Sequence, residues 1–394
     1  MCERGDAMKI LFVTWYIYDP RIEVFCNNCT GGGLVIKNLC EYVGRKEESY
    51  LLIGRHKLPE MKLENINIVG TDKYENVIVD EDVDANEIRL RTMVKAFADA
   101  IDVIQPDIVS IQGLGEFAKR CLSVCCEKNI PNVITDHLYI GVNEDIDRYD
   151  ICKEWAKEIY SIPRLNVIAV SNGMKNKILK DYPLLDGRLY AIANGTDFQA
   201  VNMTSNFLEK YNLKNKKVML CVGTILDRKN QRQIVRAFKY LPDEVRNNIA
   251  VIFCGKDRLD GKLQCDIEKE QLGKSLIYVG ACSSEDMKKY YSLCKGLIMP
   301  SFAEGLSIAA LETIAYGQPV IMFGDSECYD DLNDERVVQI AKERTDECLA
   351  DAIVKWYEKE WDNDYIINFS KYFTMERMAD DHINEYKRII GLNL

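Results

Sequence analysis

The chain has 394 residues and no apolar run of about 18, so no ordinary transmembrane helix is expected. Met1 to Ala7 are polar and acidic and lack the apolar core of a signal peptide. They read as a short extension before a first structured segment at Met8. Positive charge is also lacking: the formal net charge is −11, which argues against nonspecific nucleic-acid binding. A local basic cleft for an anionic ligand stays compatible with that balance. Histidine is scarce, with His56 in an expected loop, His137 at a strand end and His382 on the last helix. No Gly-x-Gly-x-x-Gly follows the first strand, which sets a dinucleotide-dependent oxidoreductase aside. No low-complexity stretch or short repeat occurs.

Cysteine is plentiful, but the fifteen thiols do not form a framework: the number is odd and no signal peptide precedes them. Cys121, Cys221 and Cys254 sit in apolar runs, where cysteine behaves as a small hydrophobe, and a reducing cytoplasm is expected. Cys26 and Cys29 have metal-like spacing, yet no second cysteine or histidine pair nearby completes a site.

Short apolar, β-branched runs alternate with amphipathic stretches along the whole chain. The runs include Lys9–Trp15, Asp107–Gln112, Asn132–Thr135, Lys217–Gly223, Ile249–Gly255 and Pro319–Phe323. Between them lie helical patterns such as Glu87–Ile104, Asn230–Leu241 and Leu306–Tyr316. Runs that are apolar throughout fit strands buried on both faces, so the pattern predicts parallel α/β sheets covered by helices. The length suits two such units. The seam is expected near Asn194–Phe198, where Asn-Gly breaks the pattern. The division is 8–195 and 196–371, with 372–394 returning to the first domain.

The most informative segment is Ser301-Phe-Ala-Glu304-Gly305-Leu306-Ser307, continuing through Glu312 to Gly317-Gln-Pro319-Val. It follows a buried strand and predicts a helix from near Gly305 to Gly317. A helix N-terminus presents unpaired N–H groups and partial positive charge to an anion, and Gly305 would let a phosphate approach the backbone. Glu312 would lie about 10 Å further along the axis. On spacing alone, two surface glutamates flanking an ordinary turn account for the pair equally well.

A second segment, Val222-Gly223-Thr224 to Arg228-Lys229-Asn230-Gln231, sets two cations beside a glycine turn at the carboxyl edge of a strand. That edge is where open α/β sheets bind ligands. The cations suit an anionic ligand, and a solvated loop pair is the alternative. A third, Thr30-Gly31-Gly32-Gly33-Leu34, places a glycine run before a helix expected from Leu34. The fourth is His137, in Thr135-Asp136-His137-Leu138.

The Glu304-to-Glu312 segment resembles the Glu-x7-Glu motif of the retaining, GT-B-fold glycosyltransferases of family 4, the glycosyl transferases group 1. That family's fold is two Rossmann-like domains facing a cleft, with a C-terminal helix crossing back to the first domain. The resemblance implies that Glu312 binds the donor ribose. It also implies that Glu304, Gly305, Leu306 and Ser307 meet the donor sugar and phosphate. Relatives carry Gly-Arg and, five residues after that arginine, lysine; here Lys229 matches the lysine, Thr224 replaces the arginine, and Arg228 is the candidate substitute. Gly32 and Gly33 match the family's Gly-Gly loop facing the diphosphate and acceptor, and Tyr16–Cys29 would border the acceptor. His137 stands where the family places a histidine near the transferred sugar, although the usual His-Asp order is reversed. It is assigned to sugar or diphosphate binding. The base pocket is expected around Gly255, Lys256 and Asp257 and around Tyr278, Val279 and Gly280. Phe369 through Tyr386 resembles the crossing helix.

The implied reaction moves a sugar from a nucleotide diphosphate sugar, UDP favoured over GDP, to a saccharide, glycolipid or other hydroxyl. It is a front-face attack with retention. No Asp-x-Asp stands at a strand end (Asp325, Asp330 and Asp331 lack the spacing), so neither metal nor other cofactor is expected. The alternatives are a noncatalytic nucleotide-sugar-binding subunit and a GT-B epimerase. Because relatives act on lipid-linked acceptors, a peripheral membrane contact at the inner face is a further expectation. Glu116–Lys128 carries Lys119, Arg120 and Lys128 beside apolar residues, a pattern that a helix with one solvated face also produces.

Overall fold

The computed structural model describes residues 7–19, 21–22, 31–76, 84–142, 144, 150–197 and 207–391. Cys26, Cys29 and Phe198 lie outside the described residues. The chain divides into two compact units: one holds Met1–Glu144, Tyr149–Gly195 and Met375–Leu394, and the other holds Asp145–Arg148 and Thr196–Thr374.

In the first unit, strands β1 (Lys9–Thr14), β2 (Glu48–Ile53), β3 (Met61–Leu63), β4 (Ile66–Ile68), β5 (Ile108–Gln112), β6 (Asn132–Asp136), β7 (Asn166–Ala169) and β8 (Leu189–Ala191) form one sheet. Their order is β3-β4-β2-β1-β5-β6-β7-β8. All described pairings are parallel except β3 with β4. Leu11, Val13, Val109, Ile111 and Ile134 are fully buried under flanking helices. A parallel sheet covered on both faces requires such residues. The antiparallel edge departs from the expected all-parallel sheet. β3 is three residues long, too short to show a period, and turns through Glu64 at φ 53°.

The second unit holds β9 (Lys217–Val222), β10 (Ile249–Cys254), β11 (Leu276–Gly280), β12 (Leu297–Met299), β13 (Val320–Phe323) and β14 (Val338–Ala341). Their order is β11-β10-β9-β12-β13-β14, and all the pairings are parallel. This is α/β architecture in both units, as the alternation predicts.

Helix ends follow from capping side chains. The helix Ala85–Ile104 starts two residues before the expected Glu87, because the Asp84 carboxylate accepts the N–H groups of Asn86 and Glu87 at 2.7 and 3.0 Å. The C-terminal stretch is not one helix from Phe369 to Tyr386. It is two, Asn363–Ser370 and Met375–Ile389, separated by Lys371–Thr374. The break has a backbone cause: Phe373 O accepts Thr196 N–H at 2.9 Å and Thr374 bridges Thr196 in strand fashion. The last helix buries Met378, His382 and Tyr386 in the first unit.

Candidate functional site

In the second unit the carboxyl ends of β9 and β10 meet as bare backbone. Gly223 has φ 138° and Gly255 has φ 154°. A Cβ on Gly255 would collide with the Gly223 carbonyl, so glycine is required there by both conformation and space. Gly223 N–H donates to Cys254 O at 2.9 Å and Gly255 N–H to Gly280 O at 2.7 Å. Tyr278 donates its hydroxyl to Gly255 O at 3.0 Å. Lys256 is exposed, Val279 is half-buried, and Lys256 O accepts Ile225 N–H at 2.9 Å.

The Thr224 turn is clamped by Gln231, which is buried and donates its amide to Thr224 O at 2.9 Å. Arg228 and Lys229 lie in a 3-10 turn, Asp227–Lys229, and the α-helix starts only at Arg232. The expected start after Lys229 is therefore displaced. Asn230 takes the left-handed region at φ 53° and its amide reaches Pro300 O at 3.4 Å.

That geometry aims both cations at the loop after β12. The Lys229 ammonium pairs with the Glu304 carboxylate. Arg228 donates to Ala303 O and stands 3.6 Å from Glu304. Phe302 N–H donates to Arg228 O at 2.8 Å, and Arg344 donates to Ser301 O at 2.7 Å. The Glu304 N–H donates to the Glu327 carboxylate at 3.0 Å. Burial works to raise the Glu304 carboxyl, but Lys229 and Arg228 together outweigh it and hold the group below the ordinary glutamate value. Glu304 is thus a buried, ionised acid with two cations beside it.

The helix expected from Gly305 starts three residues later. It spans Ile308–Ala315, and Ser307 is its N-cap, accepting Ala310 N–H at 3.4 Å. Gly305 and Leu306 therefore belong to the turn before the helix, and Glu304 and Glu312 do not share one axis. Gly317, at φ 70°, follows the helix end. Glu312 accepts the hydroxyl of buried Tyr291 at 2.8 Å, and Tyr291 stacks on Tyr316 at 5.8 Å between centroids. Burial raises the Glu312 carboxyl to about 7, against the opposing Tyr291 hydrogen bond, and Asp197 adds to the rise.

In the first unit, Gly31, Gly32 and Gly33 are not a loop ahead of a helix. They are the first turn of the helix Gly31–Val43. A Cβ on Gly32 would meet nothing within 4 Å, so no neighbour in the protein demands glycine there.

His137 follows β6, and its Nε2 lies 3.0 Å from Gln112 Oε1. Burial lowers its pKa to about 4 and His382 acts the same way, so the ring is neutral. Asp136 points into the core, where its carboxylate accepts the Tyr160 hydroxyl at 2.5 Å and Leu138 N–H at 3.0 Å. The acid beside His137 thus fixes the strand end. The cations of Glu116–Lys128 are all paired: Lys119 with Glu116 and Glu158, Arg120 with Glu87 and Glu116, Lys128 with Asp102. No helix of the described residues is long and apolar enough to cross a membrane.

Gln112, Glu327, Arg344 and Tyr291 have no role in the sequence reading. Each acts across 21 to 43 residues of chain, through contacts that carry no local spacing signal.

Residues 204–372 match the glycosyl transferases group 1 family. An uncharacterized glycosyltransferase of Methanocaldococcus jannaschii is 24% identical over 334 residues, 80% of each chain. The O-antigen chain mannosyltransferase B of Escherichia coli is 31% identical over 115 residues, 29% of this chain and 30% of that one. Among solved structures, a glycosyltransferase from Rickettsia africae has a TM-score of 0.73 at 15% identity, covering 98% of this chain and 100% of that one. The matched region holds the Glu304–Glu312 segment and is similar to the glycosyl transferases group 1 family, and the two parallel α/β sheets are those of a GT-B-fold glycosyltransferase.

Proposed function

We propose that the enzyme transfers a sugar from a nucleotide diphosphate sugar to a hydroxyl acceptor, with retention of configuration and without a metal ion. The observation that carries this reading is the ion cluster of Lys229, Arg228 and Glu304 at the carboxyl ends of β9 and β12. Two cations fixed by a buried acid are preorganised for charge that grows on a departing diphosphate. The sugar C1–oxygen bond to the diphosphate breaks as the acceptor oxygen bonds to C1 on the same face. The acceptor proton passes to the departing diphosphate.

Glu312, in its ionised form, accepts the ribose hydroxyls, and the turn at Gly305–Leu306 offers amides to phosphate. Gly32 and Gly33, in the first helical turn of their unit, serve the acceptor or diphosphate side. The mannosyltransferase names among the relatives support a saccharide acceptor and put mannose among the sugars to test.

The test is a turnover panel of UDP-glucose, UDP-galactose and GDP-mannose with saccharide acceptors, read as nucleoside diphosphate release and product anomer. The expected result is release from one base, a UDP-sugar first, with retained configuration and no effect of chelator. Turnover abolished by chelator and restored by magnesium or manganese would reverse the metal assignment. Binding without release would favour a noncatalytic subunit, and conversion of a nucleotide sugar alone would favour an epimerase.

A further inference from the structure

Two thiols meet where β10 and β11 end. Cys254 closes β10, and the pairing with β11 skips Val279 there, passing from Phe253 opposite Tyr278 to Cys254 opposite Gly280. Gly280 takes the left-handed region at φ 81°, a turn that brings Cys282 back toward the strand end. Gly280 O accepts Gly255 N–H at 2.7 Å and the Cys282 thiol at 3.4 Å. The Cys254 thiol in turn donates to the Cys282 sulfur. The two sulfurs differ in access and acidity. Cys254 is buried, and the bond it donates, together with burial, raises its thiol. Cys282 is half-buried between exposed Ala281 and Ser283, and the bond from Cys254 lowers its thiol against the effect of burial. Two other cysteines lie near. Cys221 pairs with Phe253, which puts its side chain on the opposite face of the sheet from Cys254. Cys294 is buried after the helix Ser284–Leu293, and burial raises its thiol.

We propose that Cys254 and Cys282 form a thiol oxidation site, which a hydroperoxide converts to a disulfide. The accessible Cys282 reacts first. Its thiolate attacks one peroxide oxygen, the O–O bond breaks, and the departing hydroxide takes a proton to become water. Cys282 is then a sulfenic acid, oxidised by two electrons. Cys254 gives up its proton and its sulfur attacks the Cys282 sulfur. The S–O bond breaks, and the hydroxyl leaves with that proton as water. A dithiol reductant returns the two electrons. A disulfide needs about 2 Å between sulfurs, closer than two hydrogen-bonded thiols stand, so one side must move. Cys254 is held in β10, which is paired on both sides by β9 and β11, whereas Cys282 stands in the turn after β11. The turn moves. It follows Tyr278, Val279 and Gly280, where the nucleotide base is expected, so the oxidised chain binds a nucleoside diphosphate more weakly. That last effect rests on the glycosyl-transfer reading above, and the oxidation itself does not.

The test treats the reduced, desalted full chain with hydrogen peroxide, alkylates it, and maps its peptides by mass without reductant. The expected product is a Cys254–Cys282 linked peptide that dithiothreitol cleaves. Cys254→Ala should stop at a sulfenic acid on Cys282, which dimedone labels. Cys282→Ala, at a half-buried turn position, should give neither the link nor a label on Cys254. A Cys254–Cys294 link, or a Cys282 that stays a thiol while other cysteines oxidise, overturns the site. Calorimetry with UDP and GDP reads the consequence. Oxidised wild type should bind about fivefold more weakly, the size of one lost hydrogen bond. Dithiothreitol should restore the affinity, and peroxide should not change it in C282A. Unchanged affinity in the oxidised wild type overturns the effect on the pocket alone. If neither nucleotide binds the reduced chain, the glycosyl-transfer reading fails and the effect on binding with it, and the peptide map still decides the oxidation site.

Discussion

The backbone N–H of Glu304 is held by the Glu327 carboxylate at 3.0 Å, so one buried acid anchors the loop that carries another. Removing the acceptor strands a buried N–H and frees the Ser301–Leu306 turn. Glu327→Ala is expected to lower stability by about 1–3 kcal/mol and to weaken nucleotide-sugar binding. Glu327→Gln keeps an acceptor oxygen and should lose much less. Chemical denaturation of both variants checks this, and equal losses would show that the contact with Glu304 is not what matters.

The Lys229–Glu304 pair yields a prediction that separates folding from turnover. Lys229→Met leaves Glu304 buried with Arg228 alone, at 3.6 Å. The expected cost is roughly 3 kcal/mol of stability and about a hundredfold in turnover. Because Glu304 is held below the ordinary glutamate value, its stabilisation is present above that value and is lost as pH falls through the lowered one. The acid limb of the stability profile should therefore flatten in K229M. The double variant K229M/E304L should regain much of the stability and none of the turnover.

Glu312 has the opposite sign. Its carboxyl is raised to about 7, so the folded chain keeps a proton that the unfolded chain has lost. Between the ordinary glutamate value and about 7, stability should fall as pH rises, levelling off above. Nucleotide affinity should rise over the upper part of the same window if ribose hydroxyls donate to the carboxylate. Glu312→Gln should flatten both profiles. Tyr291→Phe removes the hydrogen bond that favours the ionised form, moving both transitions to higher pH. Thermal unfolding and calorimetry from pH 5 to pH 9 test the pair, and an unchanged profile in E312Q would assign the dependence elsewhere.

Two glycines should respond in opposite ways. Gly255→Ala puts a Cβ into the Gly223 carbonyl at a backbone angle that side chains avoid, and a loss of about 3 kcal/mol or more is expected. Gly32→Ala meets nothing within 4 Å inside a helix, so the free protein should be unchanged or stabilised by about 0.5–1 kcal/mol. Reduced ligand affinity in a stable G32A variant would show that a ligand, and not the fold, needs that glycine.

The sequence was legible where physics is local. Runs such as Ile249–Cys254 are buried at every position, so an unbroken apolar run marks a covered parallel strand. Glu304 and Glu312 were visible because a strand, a turn and a helix follow one another within 20 residues of the motif. The helix start was misplaced because Ser307, inside the motif, takes the capping role that Gly305 was expected to prepare. β3 was missed because three residues at an edge carry no period. Gln112 and Glu327 were missed because their roles exist only after distant segments meet: Gln112 beside His137 across 25 residues, Glu327 beside Glu304 across 23.

The most direct test of the account is calorimetric titration of UDP, GDP, UDP-glucose and GDP-mannose into wild type, the R228A/K229A double variant and E312Q. The account predicts micromolar binding of one base by wild type, diphosphate affinity abolished in R228A/K229A, and binding in E312Q that no longer depends on pH. Binding that survives R228A/K229A undiminished, or no binding of any nucleotide by wild type, would contradict it.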